Sequence, residues 1–120
     1  MRTEYPKTLF IDIDGTLLHH HGIPNMQARM GTIVLEGVIE KLGEWNMLGH
    51  QIILVTGRKE SERSTTIKQL SDAHIEYDML IMGLPRGKRV IINDMKPDSN
   101  EPTAIAVSIE RNTGIKNINI

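Results

Sequence analysis

A chain of 120 residues is close to the usual size of one domain, so we expect residues 1–120 to form a single folding unit. The formal net charge of −1 argues against a protein that binds nucleic acid through a broad basic surface, but it leaves a small anionic substrate open. The absence of cysteine excludes disulfides, thiol nucleophiles and thiolate metal sites. No apolar run reaches the roughly 18 residues of a membrane span. The N-terminus lacks a signal-peptide pattern, so we expect a cytoplasmic protein without a membrane partner.

Short apolar runs alternate with a helical pattern along the chain. Residues 8–13, TLFIDI, predict a buried strand, and a loop or small hairpin follows over 15–31. From Val34 to Leu48 the apolar residues recur at helical spacing, and Gly49 stands where a helix usually ends in a left-handed residue. The remaining predicted elements are a strand at 51–56, a helix from Ser61 to Ala73 with Ile67 and Leu70 facing the core, and strands at 78–83, 89–94 and 103–109.

This order of elements predicts an α/β fold, a three-layer sandwich around a mainly parallel, Rossmann-like sheet of about five strands. The connection between the third and fourth strands, LPRGKR, is too short for a helical crossover. That pair is therefore either antiparallel or joined in an unusual way, and the sequence does not decide between the two.

Polar side chains follow three of the predicted strands. The first strand ends at Asp12 and Asp14, the second at Thr56, and the fourth at Asp94. In parallel sheets the ligand site lies beyond the carboxyl ends of the strands, and side chains two apart in an extended segment share a face. Two carboxylates that look into one pocket need a positive partner, and Mg²⁺ is the economical candidate because it prefers oxygen ligands and keeps several waters.

Three motifs, FIDIDGTLL, ILVTGR and IINDMKPD, resemble in this order and spacing the first, second and fourth motifs of the haloacid dehalogenase superfamily of phosphatases. The resemblance is to small members without a cap domain. It implies that Asp12 is the nucleophile, that Asp14 protonates the leaving oxygen and later activates water, and that Thr56 binds a phosphoryl oxygen. It also implies that Asp94 completes a Mg²⁺ site with Asp12 and the backbone carbonyl of Asp14.

Further candidate residues lie within or next to these motifs. Gly15, Thr16, Gly57 and Arg58 are assigned to substrate binding, although a surface or structural ion-pair role is favoured over a substrate contact for Arg58. Asp98 either supports the metal site or caps the segment after Pro97. The cation that neutralises the phosphoryl group in this family has no clear counterpart: Lys88 is the first candidate, and Arg86 and Lys96 compete with it.

Neither gap between the motifs is long enough for a cap domain, so residues 15–31 are expected to form only a flap. We therefore expect a Mg²⁺-dependent phosphatase of a small phosphorylated substrate, such as a sugar phosphate of a polysaccharide pathway, in a homo-oligomer that helps to close the site. The alternatives are a nucleotide or polynucleotide phosphatase, or a catalytically weak binding or regulatory module of the same fold. The polar residues expected in the flap are His19, His20, His21, Asn25, Gln27 and Arg29.

Overall fold

The computed structural model describes residues 4–22 and 31–120. The part of the predicted flap at 23–30, with Asn25, Gln27 and Arg29, lies outside the described residues. The elements in chain order are β1 (Thr8–Asp12), α1 (Val38–Met47), β2 (Gln51–Val55), a 3₁₀ turn (Glu60–Glu62), α2 (Arg63–Asp72) and β3 (Met79–Ile81). None of the helices in the described ranges is both long and apolar enough to cross a membrane.

The three strands form a parallel sheet in the order β1-β2-β3. Each pair is joined through a helix, as parallel strands require, and this confirms an α/β fold with a parallel sheet. The central strand β2 is the most buried one, because Ile52, Ile53 and Leu54 are all buried. Ile52 and Leu54 share a core with residues of α1 and with Ile13 and Leu17, which follow β1.

Helix α1 confirms the strongest helical pattern of the sequence. The helix begins at Val38, four residues after the first apolar residue of that pattern, Val34. Val34 forms an antiparallel bridge with Leu18, and Gly37 adopts a φ of 78°, so neither belongs to the helix. The C-terminus lies at the predicted place. Gly49 has a φ of 83°, its N–H donates to Asn46 O, and the next N–H donates to Trp45 O, which is the bond pattern of a glycine C-cap.

Helix α2 begins two residues after the predicted start and ends one residue before the predicted end. Leu70 is fully buried as expected, but Ile67 is 42% exposed, so its assignment to the core is wrong. The reason is the spacing of the buried face. Thr66 and Leu70 lie four residues apart on the inner side, and Ile67 is rotated away from it.

The predicted strands at 89–94 and 103–109 are not formed in the structure. The segment 89–110 has no regular secondary structure, and most of its residues are exposed, including Ile92 at 91%. Its ordered feature is a tight reversal in which Met95 and Pro102 form an isolated antiparallel bridge and Thr103 donates to Asp94 O. A strand needs a partner for its hydrogen bonds as well as an apolar run, and these segments have none among the described strands. The question of how strands three and four are oriented therefore does not arise in this structure.

Candidate functional site

The two aspartates lie at the carboxyl end of β1, as predicted. Asp12 is the last residue of β1 and stands opposite Val55, so Thr56 follows directly at the adjacent strand end. After Ile13 the chain turns at once: the N–H groups of residues 16–18 all donate to Ile13 O, and the N–H of Gly15 donates to Leu18 O at 2.7 Å. Gly15 has a φ of 88°, which a residue with a side chain rarely adopts. The turn keeps Asp12 and Asp14 together at one edge of the sheet.

The surroundings of Asp12 make ionisation of its carboxyl group unfavourable. Burial and then the negative charge of Asp14 raise its pKa, while Arg89, the Thr16 hydroxyl and the backbone at Ile13 act in the opposite direction. The Thr16 hydroxyl donates to Asp12 Oδ2 at 3.4 Å, which is a long hydrogen bond. Thr16 therefore supports Asp12 in this structure, and its predicted contact with substrate stays a prediction.

Arg58 holds the carboxylate of Asp14. Its Nε donates to Asp14 Oδ2 at 2.9 Å and its Nη2 to Asp14 Oδ1 at 2.8 Å, so the contact is bidentate. Nη1 donates to Thr66 Oγ1 at 3.1 Å and to Gln69 Oε1 at 2.6 Å, both on α2. The side chain of Arg58 is only 4% exposed. The geometry favours the ion-pair alternative for Arg58, because the guanidinium faces Asp14 and α2.

Thr56 and Gly57 occupy the loop after β2. Thr56 is buried, and its Oγ1 accepts the N–H of Arg58 at 3.1 Å, which leaves the hydroxyl proton of Thr56 to be donated elsewhere. Gly57 lies close to the next loop: a Cβ at this position would meet Leu84 O at 3.4 Å. The N–H of Leu84 also donates to Thr56 O. The chain after β3 therefore positions the loop after β2.

Arg89 is the cation whose charge acts on Asp12. Its Nη1 donates to Pro85 O at 3.2 Å and to Gly87 O at 3.1 Å, so the loop before it anchors the guanidinium. Arg89 was not among the three neighbouring cations predicted for the site, although the run RGKR was the available signal. Lys88, Arg86 and Lys96 are exposed, and each of them stays a prediction for the phosphate-neutralising role.

The predicted metal ligands are only partly brought together. Asp12 and Asp14 are neighbours, whereas Asp94 and Asp98 lie in the exposed segment after Arg89. Within residues 4–22 and 31–120, no group of three or more histidine, cysteine, aspartate or glutamate side chains could hold a metal ion. The roles of Asp94 and Asp98 at a metal site therefore stay predictions.

The segment after residue 109 was not predicted to contribute to the site, yet it holds the loop that follows Asp14. Asn112 has a φ of 69°, and its N–H donates to Gly15 O at 2.8 Å. Its side-chain amide pairs with the backbone of His20 in both directions, at 2.7 and 3.2 Å. The side chain of Arg111 packs against Gly15, because its Cγ would lie 3.1 Å from a Cβ added at Gly15. The turn-forming run RNTG was the signal in the sequence.

Comparisons with known proteins agree with this geometry. A family model of haloacid dehalogenase-like hydrolases matches residues 9–84. Among solved structures, the chain is similar to one in the Pnkp1/Rnl/Hen1 complex, with 30% identity, a TM-score of 0.59, and coverage of 74% of this chain and 32% of that chain. A chain of the Pnkp1/Rnl/Hen1 RNA repair complex matches with 29% identity, a TM-score of 0.58 and coverage of 73% and 29%. Our chain thus spans about a third of their length.

A crystal structure of a protein from Vibrio cholerae matches with 24% identity and a TM-score of 0.54, covering 71% of this chain and 79% of that one. At this identity the similarity shows the fold. No curated protein matches the chain.

Proposed function

The chain belongs to the haloacid dehalogenase-like hydrolases, and we propose that it hydrolyses a phosphate monoester through an aspartyl-phosphate intermediate. The observation that carries the proposal is the pair of half-buried carboxylates, Asp12 and Asp14, in the turn at the end of β1. The raised pKa of Asp12 adds to it, because burial and the charge of Asp14 make its anion less stable, and a cation bound beside the pair would relieve that cost.

Each residue of the pair has a distinct part in the proposed reaction. The carboxylate of Asp12 attacks phosphorus, and the bond from phosphorus to the leaving oxygen breaks. Asp14 gives a proton to that oxygen, then takes one from the water that attacks the aspartyl phosphate. Thr56 donates its hydroxyl proton to a phosphoryl oxygen. Arg58 leaves room for the transferred proton on Asp14. Each carboxylate oxygen has two lone-pair directions, and Arg58 occupies only one direction on each oxygen.

The donors at this edge of the sheet fit Mg²⁺. The carboxylate of Asp12 and the backbone carbonyl of Asp14 are hard oxygen ligands, and the cost of placing two carboxylates together supports a cation beside them. When bound, Mg²⁺ would neutralise charge on the phosphoryl group and on Asp12. Asp94 would be its third protein ligand.

Asp94 reaches such an ion only after a change in the segment that carries it. Within the described sheet β1 is an edge strand, and the apolar residues Val90, Ile91 and Ile92 are exposed. Movement of 89–94 toward β1 would bring Asp94 to Asp12 and remove these side chains from water, which is favourable. Metal binding and ordering of this segment are therefore proposed to be coupled.

We expect hydrolysis of 4-nitrophenyl phosphate to require Mg²⁺ and to be lost in excess chelator, because the negative charge around Asp12 otherwise repels the substrate. Asp94→Asn should raise the Mg²⁺ concentration for half-maximal activity by at least about tenfold, as expected for loss of a metal ligand. Asp98→Asn is the matched variant that tests the other acidic residue of the segment. Full activity in chelator would contradict the metal-dependent mechanism.

Hydrogen exchange gives a readout of the same coupling without turnover. The backbone amides of residues 89–94 should exchange more slowly when Mg²⁺ is added, and Asp94→Asn should remove that protection. The amides of β2 should be equally protected in all samples, because β2 is central and buried. Equal exchange at 89–94 with and without Mg²⁺ would exclude the movement while leaving the phosphatase proposal open.

Two substrate classes remain as candidates. The near-neutral charge and a 3% aromatic content favour a small substrate such as a sugar phosphate. The similarity to chains of an RNA repair complex favours the second class, a phosphorylated polynucleotide end. Parallel assays of a sugar-phosphate panel and a terminally phosphorylated RNA oligonucleotide decide between the two.

For a small substrate, a homo-oligomer with the flap near the subunit boundary is proposed, because water must be excluded from the site. Sedimentation velocity of the active protein tests this proposal. A strict monomer that hydrolyses a sugar phosphate efficiently would contradict it.

A further inference from the structure

The contact between Arg58 and Asp14 joins the site to a part of the fold that takes no direct part in the chemistry. Arg58 follows β2, Asp14 follows β1, and the two are 44 residues apart in the chain. Four hydrogen bonds leave from the guanidinium: two go to Asp14 and two to α2. An arginine whose guanidinium made no hydrogen bonds could adopt several rotamers. The guanidinium of Arg58 is fixed because it is bonded to Asp14 on one side and to α2 on the other.

The bidentate geometry restricts Asp14 in a way that a single charge would not. Two parallel N–H···O bonds fix the plane of the carboxyl group, and with it the directions of the acceptor positions that remain. A group that exchanges a proton with a leaving oxygen must be within hydrogen-bond reach and correctly directed. The direction of the Asp14 carboxyl is therefore set from outside the pair, through Arg58.

Helix α2 supplies the other half of the arrangement. Thr66 is fully buried, and its hydroxyl faces Arg58 from the inner side of α2. Gln69 lies three residues later on the same face and accepts from the same nitrogen, Nη1. This inward polar surface explains why Thr66 occupies a position at which the helical pattern would favour an apolar residue.

We propose that Arg58 is a positioning residue for the proton transfers of Asp14, and that Thr66 and Gln69 hold Arg58 in the required orientation. The inference rests on the proposed function and adds a residue to it. A purely structural Arg58 would affect every substrate alike. A positioning Arg58 affects most strongly the substrates whose leaving oxygen needs a proton.

The test compares kcat/KM for 4-nitrophenyl phosphate, whose leaving group departs unprotonated, with kcat/KM for an alkyl phosphate such as 2-glycerol phosphate. Arg58→Lys keeps the charge but removes the planar fork. It should lower kcat/KM for the alkyl substrate by about 10²-fold, which approaches the effect of losing a general acid. It should lower kcat/KM for the aryl substrate by only a few fold. Thr66→Val, which removes one of the four contacts, should give the same pattern at smaller size.

The chain offers a matched control in Arg63→Lys. Arg63 makes a bidentate pair of the same geometry with Glu60, at 2.9 and 2.8 Å, but on the surface and at the start of α2. This variant should leave both kcat/KM values unchanged. Circular dichroism and thermal melting establish that each variant is folded, and if Arg58→Lys is not, Thr66→Val and Gln69→Met carry the test.

The outcomes separate the inference from the function on which it rests. A larger loss for the alkyl substrate in the Arg58 and Thr66 variants supports the positioning role. Equal losses for both substrates, or no loss in a folded Arg58→Lys protein, overturn it while the phosphatase proposal stands. Wild-type protein that hydrolyses neither of these substrates nor the terminally phosphorylated RNA oligonucleotide in Mg²⁺ overturns the proposed function and the positioning role together.

Discussion

Replacing Asp12 with asparagine is expected to abolish turnover, by about 10³-fold or more, and at the same time to stabilise the metal-free protein at neutral pH. Turnover is lost because an amide oxygen cannot form the aspartyl phosphate. The measurements are single-turnover assays with 4-nitrophenyl phosphate and thermal melting in chelator. Residual activity within about tenfold of wild type would remove Asp12 from the nucleophile role.

The stability effect follows from the raised pKa of Asp12, which burial causes first and the charge of Asp14 second. A carboxyl group with a raised folded-state pKa stabilises the fold most below its unfolded value of 3.8, and this contribution is lost as pH rises through the folded-state pKa. The ionised Asp12 therefore costs stability at neutral pH, and asparagine removes that cost. The melting temperature of Asp12→Asn should exceed that of wild type at pH 7, and the difference should shrink as the pH is lowered.

A matched aspartate for this experiment is Asp72, at the end of α2. Its side chain is 66% exposed and pairs with Lys68 at 2.8 Å. Asp72→Asn should retain full activity and should show no gain in melting temperature at pH 7, because an exposed carboxylate is well solvated. A gain equal to that of Asp12→Asn would mean that reduced net charge, rather than the site, causes the stabilisation.

The elements that were predictable from the sequence are those whose signals are local. Helix α1 and the glycine that ends it are encoded within one stretch of chain, in the apolar period and in Gly49. The runs TLFID and QIILV are apolar enough to be strands wherever they pair. The positions of Asp12, Asp14 and Thr56 at the strand ends follow from these elements, so their proximity could be expected without the structure.

The strands at 89–94 and 103–109 show the limit of such reasoning. RVIIND has as strong an apolar run as DMLIMG, yet only the second contains a strand. The difference lies in the partner: β3 pairs with β2, whereas the later segments face solvent. The residue types of a segment favour the extended conformation, but whether the segment finds a strand to pair with depends on the fold of the whole chain.

The contacts that arrange the site are equally non-local. Arg58 was assigned by its place in a motif, and nothing in that motif specifies that its guanidinium turns toward Asp14 and α2. Asn112 is 92 residues from His20, which it holds by two hydrogen bonds. Interactions over such separations depend on how the elements pack, so they had to come from the structure.

The buried Arg58–Asp14 pair is expected to matter for stability as well as for orientation. Asp14→Ala should lower the free energy of unfolding by about 3 kcal/mol, because it leaves the arginine charge buried without its carboxylate. The side chains are 4% and 14% exposed, so water cannot replace the lost partner well. The relief of repulsion at Asp12 offsets part of the loss. Urea unfolding at neutral pH measures the effect.

A double variant distinguishes the buried charge from other causes of this loss. Adding Arg58→Met to Asp14→Ala removes the uncompensated charge, so most of the stability should return. Glu60→Ala breaks the bidentate pair of Arg63 at the surface and should change stability little, since both of its members are in contact with water. If the double variant is as unstable as the sum of the two single variants, the pair contributes no coupling energy. The contact with Arg58 would then add nothing to the stability with which Asp14 is held.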